Sequence, residues 1–366
     1  MEAFDDRDRE LMRRALELAH RGLFTAAPNP RVGCVVARDG RIIGEGWHER
    51  TGEAHAEVRA LEDAAQRGES VRGATVYVTL EPCNHHGRTP PCTEALLASG
   101  VRRVIAAMVD PYLPASGGAE RLAAAGIALD IGLLEREARE LNVGWIKRLR
   151  DGRPWVRVKV AASLDGRTAL AGGESQWITG EIARADGHRW RARSCAVLTG
   201  IGTVLHDNPQ LTVRAVETTR QPLKVVIDRY GELPADARLL TSGQVVIFSA
   251  EAPRTTWPAN AESIVLPGRD GKVDLAAMLG RLGEREINEL HVEAGARLNG
   301  ALLAARLVDE LLVYVAPCLL GDPARGMFEL PAPLARLADR TALTIASIEP
   351  VGEDWRILAR VVNAPG

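Results

Sequence analysis

His55, Cys83 and Cys92 offer one imidazole nitrogen and two thiolate sulfurs, three donors of the types that zinc accepts. A catalytic zinc keeps three protein ligands and leaves the fourth position open. Glu57, two residues beyond His55, supplies a carboxylate able to take and return a water proton. The remaining groups lie in the stretch Pro82-Cys83-Asn84-His85-His86-Gly87-Arg88-Thr89-Pro90-Pro91-Cys92. Such a set suits hydrolysis. The competing reading is a structural zinc clip closed by His85 or His86.

The elements that must hold these residues favour the catalytic reading. Residues 73–80 read as a buried strand, with Cys83 just past its end. Residues 91–100 read as a short helix that opens on a proline and stops at Gly100. Residues 54–67 read as another helix, stopped at Gly68. His55 and Cys92 therefore fall in first helical turns, where the positive helix end favours thiolate over thiol. His-x-Glu followed by Pro-Cys and a second cysteine is the signature of zinc-dependent nucleobase deaminases, which usually have two residues between the cysteines. Here Cys83 and Cys92 are separated by residues 84–91.

The chain has 366 residues, room for two ordinary domains. Its hydrophobic fraction of 46% fits a globular protein with sizeable cores. A net charge of −2, balanced in both halves, leaves no electrostatic footprint for nucleic acid. Five scattered cysteines are too few for a disulfide framework. The chain opens on acidic residues and an amphipathic helix at 9–21, without a signal-peptide core or a membrane span, so a cytoplasmic enzyme is expected.

In chain order, a proline-bounded loop (27–31) feeds a strand to Val36, a turn at Asp39-Gly40 and a return strand at 41–46. A strand at 103–108 and helices at 119–125 and 135–149 complete an α/β domain. The polar stretch Arg150-Asp151-Gly152-Arg153-Pro154 marks a boundary, giving domains 1–149 and 150–366. Beyond it, residues 155–161 alternate with period two and place Trp155, Arg157 and Lys159 on one strand face. Helices are expected at 181–193, 273–282 and 296–306. Strands are expected at 195–199, 223–228, 244–248, 289–293 and 309–315, with an antiparallel pair at 342–348 and 355–362. Two turn-like passages, 199–204 and 293–300, could bring backbone amides to an anion.

The stretches His55 to Val58 and Thr79 to Cys92 resemble the bifunctional riboflavin-biosynthesis deaminase/reductase family, which shares the longer cysteine spacing. The likeness continues through Ala162 to Ala169, Gly173 to Thr179, Asp207 to Arg214, Val292 to Gly295 and Leu307 to Glu310. It implies a cytidine-deaminase-like three-layer α/β/α domain followed by a dihydrofolate-reductase-like α/β domain. It also implies zinc-dependent hydrolysis of the 2-amino group of a diaminopyrimidine ribonucleotide, then NADPH-dependent reduction of its ribosyl unit to ribityl. Carried onto this chain, His55, Cys83 and Cys92 hold Zn2+ and Glu57 shuttles the proton. Asn29, His48, His85 and Arg88 contact the first substrate. Lys159, Ser175, Arg191, Leu211, Arg214 and Glu293 contact the second. Ala161, Trp177, Thr203, Asp207 and Gly295, Ala296, Arg297, Leu298, Asn299, Gly300 and Ala301 bind NADPH, with Asp207 also the acid/base candidate.

Three positions depart from the family pattern. Asn84 stands where serine is common, Asp110-Pro111-Tyr112-Leu113-Pro114 replaces Asp-Pro-Asn-Pro, and Ala161 replaces a frequent glycine. The expected partners are small pyrimidine nucleotides and further copies of the chain, with neither nucleic acid nor membrane. A tRNA deaminase with residues 150–366 as an RNA-binding module is opposed by that half's balanced charge. A non-catalytic binding protein is opposed by the intact quartet His55, Glu57, Cys83 and Cys92.

Overall fold

The computed structural model describes residues 4–362 except Arg88, Ser116 and Arg254. The chain divides into two compact units, Met1–Asp151 and Gly152–Gly366.

In the first unit α1 (Asp6–Arg21) begins where the Asp5 carboxylate accepts the Asp8 amide at 2.6 Å. Leu11, Met12, Ala15 and Leu18 form its buried side. β1 (Gly33–Arg38) and β2 (Arg41–Trp47) make the hairpin, turning at Asp39 and Gly40, both with positive φ. Then come α2 (Ala56–Gln66), β3 (Thr75–Val78), α3 (Cys92–Ser99), β4 (Arg103–Ala106), α4 (Gly118–Ala124), β5 (Ala128–Ile131), α5 (Glu135–Leu141) and α6 (Val143–Asp151). The sheet order is β2-β1-β3-β4-β5. β1 runs antiparallel to both neighbours, and β3, β4 and β5 run parallel.

Glycine sets how closely α2 lies on β2. A Cβ on Gly44 would stand 2.2 Å from the Ala60 carbonyl oxygen, and one on Gly46 would stand 2.5 Å from the Ala60 nitrogen. That close seat fixes the helix start that carries His55 and Glu57. The helix expected over 135–149 is instead two helices that meet at Asn142. The buried Asn142 amide accepts from the Arg31 nitrogen at 2.8 Å and donates to the Arg31 carbonyl at 3.0 Å. Pairing with a distant loop outweighs local helix continuity. β5 was not anticipated.

The second unit holds β6 (Trp155–Ser163), β7 (Arg167–Ala169), α7 (Glu181–Arg193), β8 (Ala196–Gly200), α8 (Ile201–Asp207), β9 (Leu223–Ile227), β10 (Val245–Ser249) and β11 (Ala261–Val265). It continues with α9 (Leu275–Glu284), β12 (Glu289–Val292), α10 (Ala296–Ala304), β13 (Glu310–Ala316), β14 (Arg325–Gly326), β15 (Leu343–Val351) and β16 (Asp354–Val361). The large sheet runs β11-β10-β9-β8-β12-β6-β13-β16-β15, and β7 pairs with β14. β11 through β13 are parallel, and β16 and β15 close the edge antiparallel. The glycine passage at 199–204 is not an open turn. The chain passes from β8 straight into α8, so Asp207 ends a helix rather than sitting in a loop.

One face of β6 buries Val156, Val158 and Val160. The other carries Arg157, 1% exposed, between Glu289 at 3.0 Å and Glu310. Arg193 meets Glu289 at 2.7 Å, Arg360 meets Glu310 at 3.2 Å, and the Arg157 guanidinium lies 4.5 Å above the Trp190 ring. Each buried charge thereby has a counter-charge, the condition for its staying ionised away from water.

Candidate active sites

His55 is the N-cap of α2, Cys83 follows the exit of β3, and Cys92 is the first residue of α3. Their donor atoms lie within 4.8 Å of one another. His55 Nδ1 stands 3.1 Å from Cys92 Sγ and 3.6 Å from Cys83 Sγ. Zinc takes nitrogen at about 2.0 Å and sulfur at about 2.3 Å in a tetrahedron, so donor–donor edges of roughly 3.5–3.8 Å are required. The donor types and spacing fit that ion. Hydrogen bonds from Cys92 and His55 pull the Cys83 thiol down to about 4, while the Cys92 thiol is pushed up as the donor of the pair.

Glu57 sits in the first turn of α2, 4% exposed, and burial pushes its carboxyl up to about 7. Near that value a carboxyl both accepts and returns a proton efficiently. His48 is buried, and burial pushes it down to about 4. It is thus the neutral ring. Its Nδ1 lies 3.3 Å from the Ala54 carbonyl, which assigns the proton there and leaves Nε2 to accept from Asn29 Nδ2 at 3.0 Å. The His48 and His55 rings meet edge to face at 5.4 Å. His85 packs edge to face on Tyr112 at 5.8 Å. Arg88 lies outside the described residues. Tyr112 and Leu113 are exposed, and Asp110 is buried beneath them.

In the second unit Arg191 of α7 and Glu293 beyond β12 pair through two bonds of 2.8 and 2.9 Å, and Arg191 also donates to the Thr212 carbonyl at 2.6 Å. Burial opposes the Glu293 charge, but Arg191 outweighs it and holds the carboxyl well below its usual range. Lys159 of β6 lies 5.9 Å above the Tyr314 ring, and burial lowers its pKa against the pull of Glu293. Arg214 donates to Gln210 at 3.3 Å and Thr212 at 3.1 Å. Leu211 is buried with φ 55°. His188 joins this group although its spacing gave no sign of it. Its Nδ1 accepts the Arg214 amide at 3.4 Å, and burial pushes it down to about 4.

The expected cofactor residues are more dispersed. Ala161 pairs across to Tyr314 on the β6–β13 ladder. Trp177 is 69% exposed, with the Arg184 guanidinium 4.6 Å from its ring. Thr203 lies within α8, and Asp207 accepts from His206 at 2.9 Å. Ser175 is half-buried in the loop before α7. Gly295 caps α10, whose first residues are Ala296, Arg297 and Leu298. Asn299 and Gly300 turn inward. Asn299 donates to the Ala294 carbonyl at 3.2 Å, and a Cβ on Gly300 would stand 1.9 Å from the Glu329 carbonyl oxygen.

Residues 5–108 match the family model of the cytidine and deoxycytidylate deaminase zinc-binding region, and residues 154–357 match that of the RibD C-terminal domain. The riboflavin biosynthesis protein RibD of Escherichia coli is 48% identical over 95% of this chain and 97% of its own. The chain belongs to the RibD family. A RibD structure from Acinetobacter baumannii superposes with a TM-score of 0.88 at 40% identity, covering 98% of this chain and 99% of its own. A Thermotoga maritima diaminohydroxyphosphoribosylaminopyrimidine deaminase/5-amino-6-(5-phosphoribosylamino)uracil reductase superposes with a TM-score of 0.90 at 34% identity, covering 97% and 99%. The fold is accordingly a cytidine-deaminase-like unit followed by a dihydrofolate-reductase-like RibD unit. As a RibD-family member the chain is a bifunctional enzyme of riboflavin biosynthesis, a zinc-dependent deaminase joined to an NADPH-dependent reductase. Among the described residues no helix is long and apolar enough to cross a membrane.

Proposed function

We propose that residues 1–149 hydrolyse the 2-amino group of 2,5-diamino-6-(5-phosphoribosylamino)pyrimidin-4(3H)-one, releasing ammonia. Residues 150–366 then reduce the ribosyl group of the product to ribityl, giving 5-amino-6-(5-phosphoribitylamino)uracil. The observation that carries the reading is the convergence of His55, Cys83 and Cys92 beside a buried Glu57. Those three side chains would hold zinc, which when bound supplies Lewis acidity that lets water lose a proton near neutral pH. Glu57 takes the proton of the attacking water on a carboxylate oxygen and returns it to the departing amine nitrogen. Asn29 and neutral His48 orient the pyrimidine, joined by His85; Arg88, outside the described residues, is the further contact that the family resemblance implies.

In the reductase unit Gly295 to Ala301, at the start of α10, would hold NADPH together with Ala161, Trp177, Thr203 and Asp207, the first-turn amides of that helix offering donors to an anion. NADPH supplies the hydride. Arg191 is already spent on Glu293, which leaves Arg214 as the fork for the substrate phosphate. Lys159, Glu293, Ser175 and Leu211 shape the pocket for the sugar, and Asp207 is the acid/base group.

The chain works as a homo-oligomer, a dimer or tetramer, in the cytoplasm. Supporting the first point, Leu343, Ile345, Ile348 and Trp355 are all exposed on the β15–β16 hairpin. Supporting the second, all five cysteines are free. Incubating the pure chain with the diaminopyrimidine nucleotide should yield a deaminated product alone without NADPH, and a deaminated, reduced product with NADPH, by mass spectrometry. Consumption of NADPH without ammonia release would refute the order of steps.

A further inference from the structure

The residues that immediately follow the two cysteine ligands are bonded to each other. Thr93, fully buried behind Cys92, donates its hydroxyl to Asn84 Oδ1 behind Cys83 at 3.1 Å. Arg121, reaching in from α4, donates to the same Asn84 oxygen at 2.8 Å and to the Thr93 hydroxyl at 3.5 Å. Its other nitrogen meets Glu94 at 3.4 Å, and Glu94 meets His86 at 3.3 Å. Among the described residues between Cys83 and Cys92 the chain forms neither helix nor strand. The separation of the two sulfurs is therefore set by cross-bonds rather than by a regular backbone. Two of those bonds are made by backbone amides: Thr93 to the Cys83 carbonyl at 3.3 Å, and Cys92 to Cys83 Sγ at 3.4 Å. The side-chain clasp is the third.

α4 is itself anchored, so Arg121 arrives at a fixed point. The Ala119 amide donates to the buried Glu81 carboxylate at 3.2 Å. A Cβ on Gly118 would stand 2.1 Å from the Pro82 carbonyl oxygen, which places the helix start directly against the residue before Cys83. Asn84 is also held by its own amide, 3.0 Å from the Ala115 carbonyl.

We infer that Asn84, Thr93 and Arg121 are positioning residues that hold Cys83 and Cys92 at zinc-binding separation before the ion arrives and slow its loss afterwards. This rests on the zinc-deaminase reading of the first unit. Groups that orient metal ligands from behind typically contribute 10–100-fold to metal affinity or activity. Thr93→Val keeps the shape and removes the donor, and Thr93→Ser restores the hydroxyl. Asn84→Ala removes the shared acceptor at a half-buried position that tolerates truncation.

The test uses the full chain, zinc content by mass spectrometry, and zinc release to the dye 4-(2-pyridylazo)resorcinol. Thr93→Val and Asn84→Ala should each release zinc roughly 10–100-fold faster than the parent, by the same outer-ligand argument. The double variant should be little worse than either alone, because both break one unit. Thr93→Ser should return close to the parent rate, and all should reduce the deaminated substrate normally. A parent without bound zinc overturns the zinc reading itself. A zinc-bearing parent whose Thr93→Val and Asn84→Ala variants release the ion at the parent rate overturns the clasp alone, even if they melt at lower temperature.

Discussion

The deaminase site draws its reactive groups from residues 55 to 92, and three donor atoms converge on one point. The proposed reductase site gathers Lys159, Arg191, Arg214 and Glu293 from separate elements, joined by charge rather than by a common centre. In the first, burial shifts Glu57 toward neutrality so that a proton can move. In the second, Arg191 holds Glu293 firmly ionised. The proposed deaminase site is arranged to move a proton at Glu57, and the proposed reductase site to keep its Arg191–Glu293 pair fixed while a hydride moves. Fixed dipoles and charges suit a step whose protein contribution is orientation and electrostatics.

The largest effect that separates the two sites should come from Glu57→Gln. Deamination should fall roughly 10²–10⁴-fold, the usual contribution of a general acid–base group, with zinc retained and NADPH-dependent reduction unchanged. A loss below tenfold would remove Glu57 from its role. Chelation should draw the same line, abolishing ammonia release while leaving reduction intact. Glu293→Gln should do the reverse. It strands the nearly buried Arg191 charge, a change that typically costs about 3–5 kcal/mol, so reduction should fall by roughly 10²-fold or more while ammonia release persists. Normal reduction in that variant would mean that the fixed pair is not part of the site.

Arg214→Ala should act less severely, raising KM for the phosphorylated substrate about 10–100-fold with kcat largely kept, as for loss of one charged hydrogen-bond partner. A fall in kcat with KM unchanged would place Arg214 at the reacting carbon instead.

The smallest effect concerns Asp110, which burial pushes up to about 7 from an ordinary carboxyl value of 3.8. Because the folded value is raised, its stabilising effect is full below about pH 4 and is lost as pH rises through 7. Asp110→Asn keeps the acceptor for the Tyr112 amide and has no charge to bury. The variant should therefore be more thermostable than the parent at pH 8, by at most about 4 kcal/mol, and equal to it near pH 4. Equal melting curves at pH 8 would show that Asp110 ionises there without cost.

The uneven legibility of the two sites in the sequence has the same origin. Cysteine and histidine at ligand spacing are rare enough to stand out, so His55, Cys83 and Cys92 could be named from residue type, and the fold does bring those atoms together. Arginine, lysine and glutamate are common surface residues, and only the order β8-β12-β6-β13 brings Glu293, just past the end of β12, beside the strand that carries Lys159. Pattern alone placed His188 nowhere, because it reaches Arg214 through helix geometry rather than spacing. The α/β architecture was readable from alternating apolar strands and amphipathic helices. The break at Asn142 was not, because its cause is a partner at Arg31. Nor was α8, since two glycines disguised a helix supported by its packing against β8.

The Arg157 cluster acts as a registration pin for three neighbouring strands. Arg157 is level with Glu310 on β13 and two residues from level with Glu289 on β12. Sliding β6 by one side-chain repeat, about 6.6 Å, would set Lys159 between those glutamates and leave Arg157 without them. The alignment that brings Lys159 to the height of Glu293 is thus enforced one pleat below, where no substrate reaches. The proposed reductase site inherits its accuracy from a lock placed outside it.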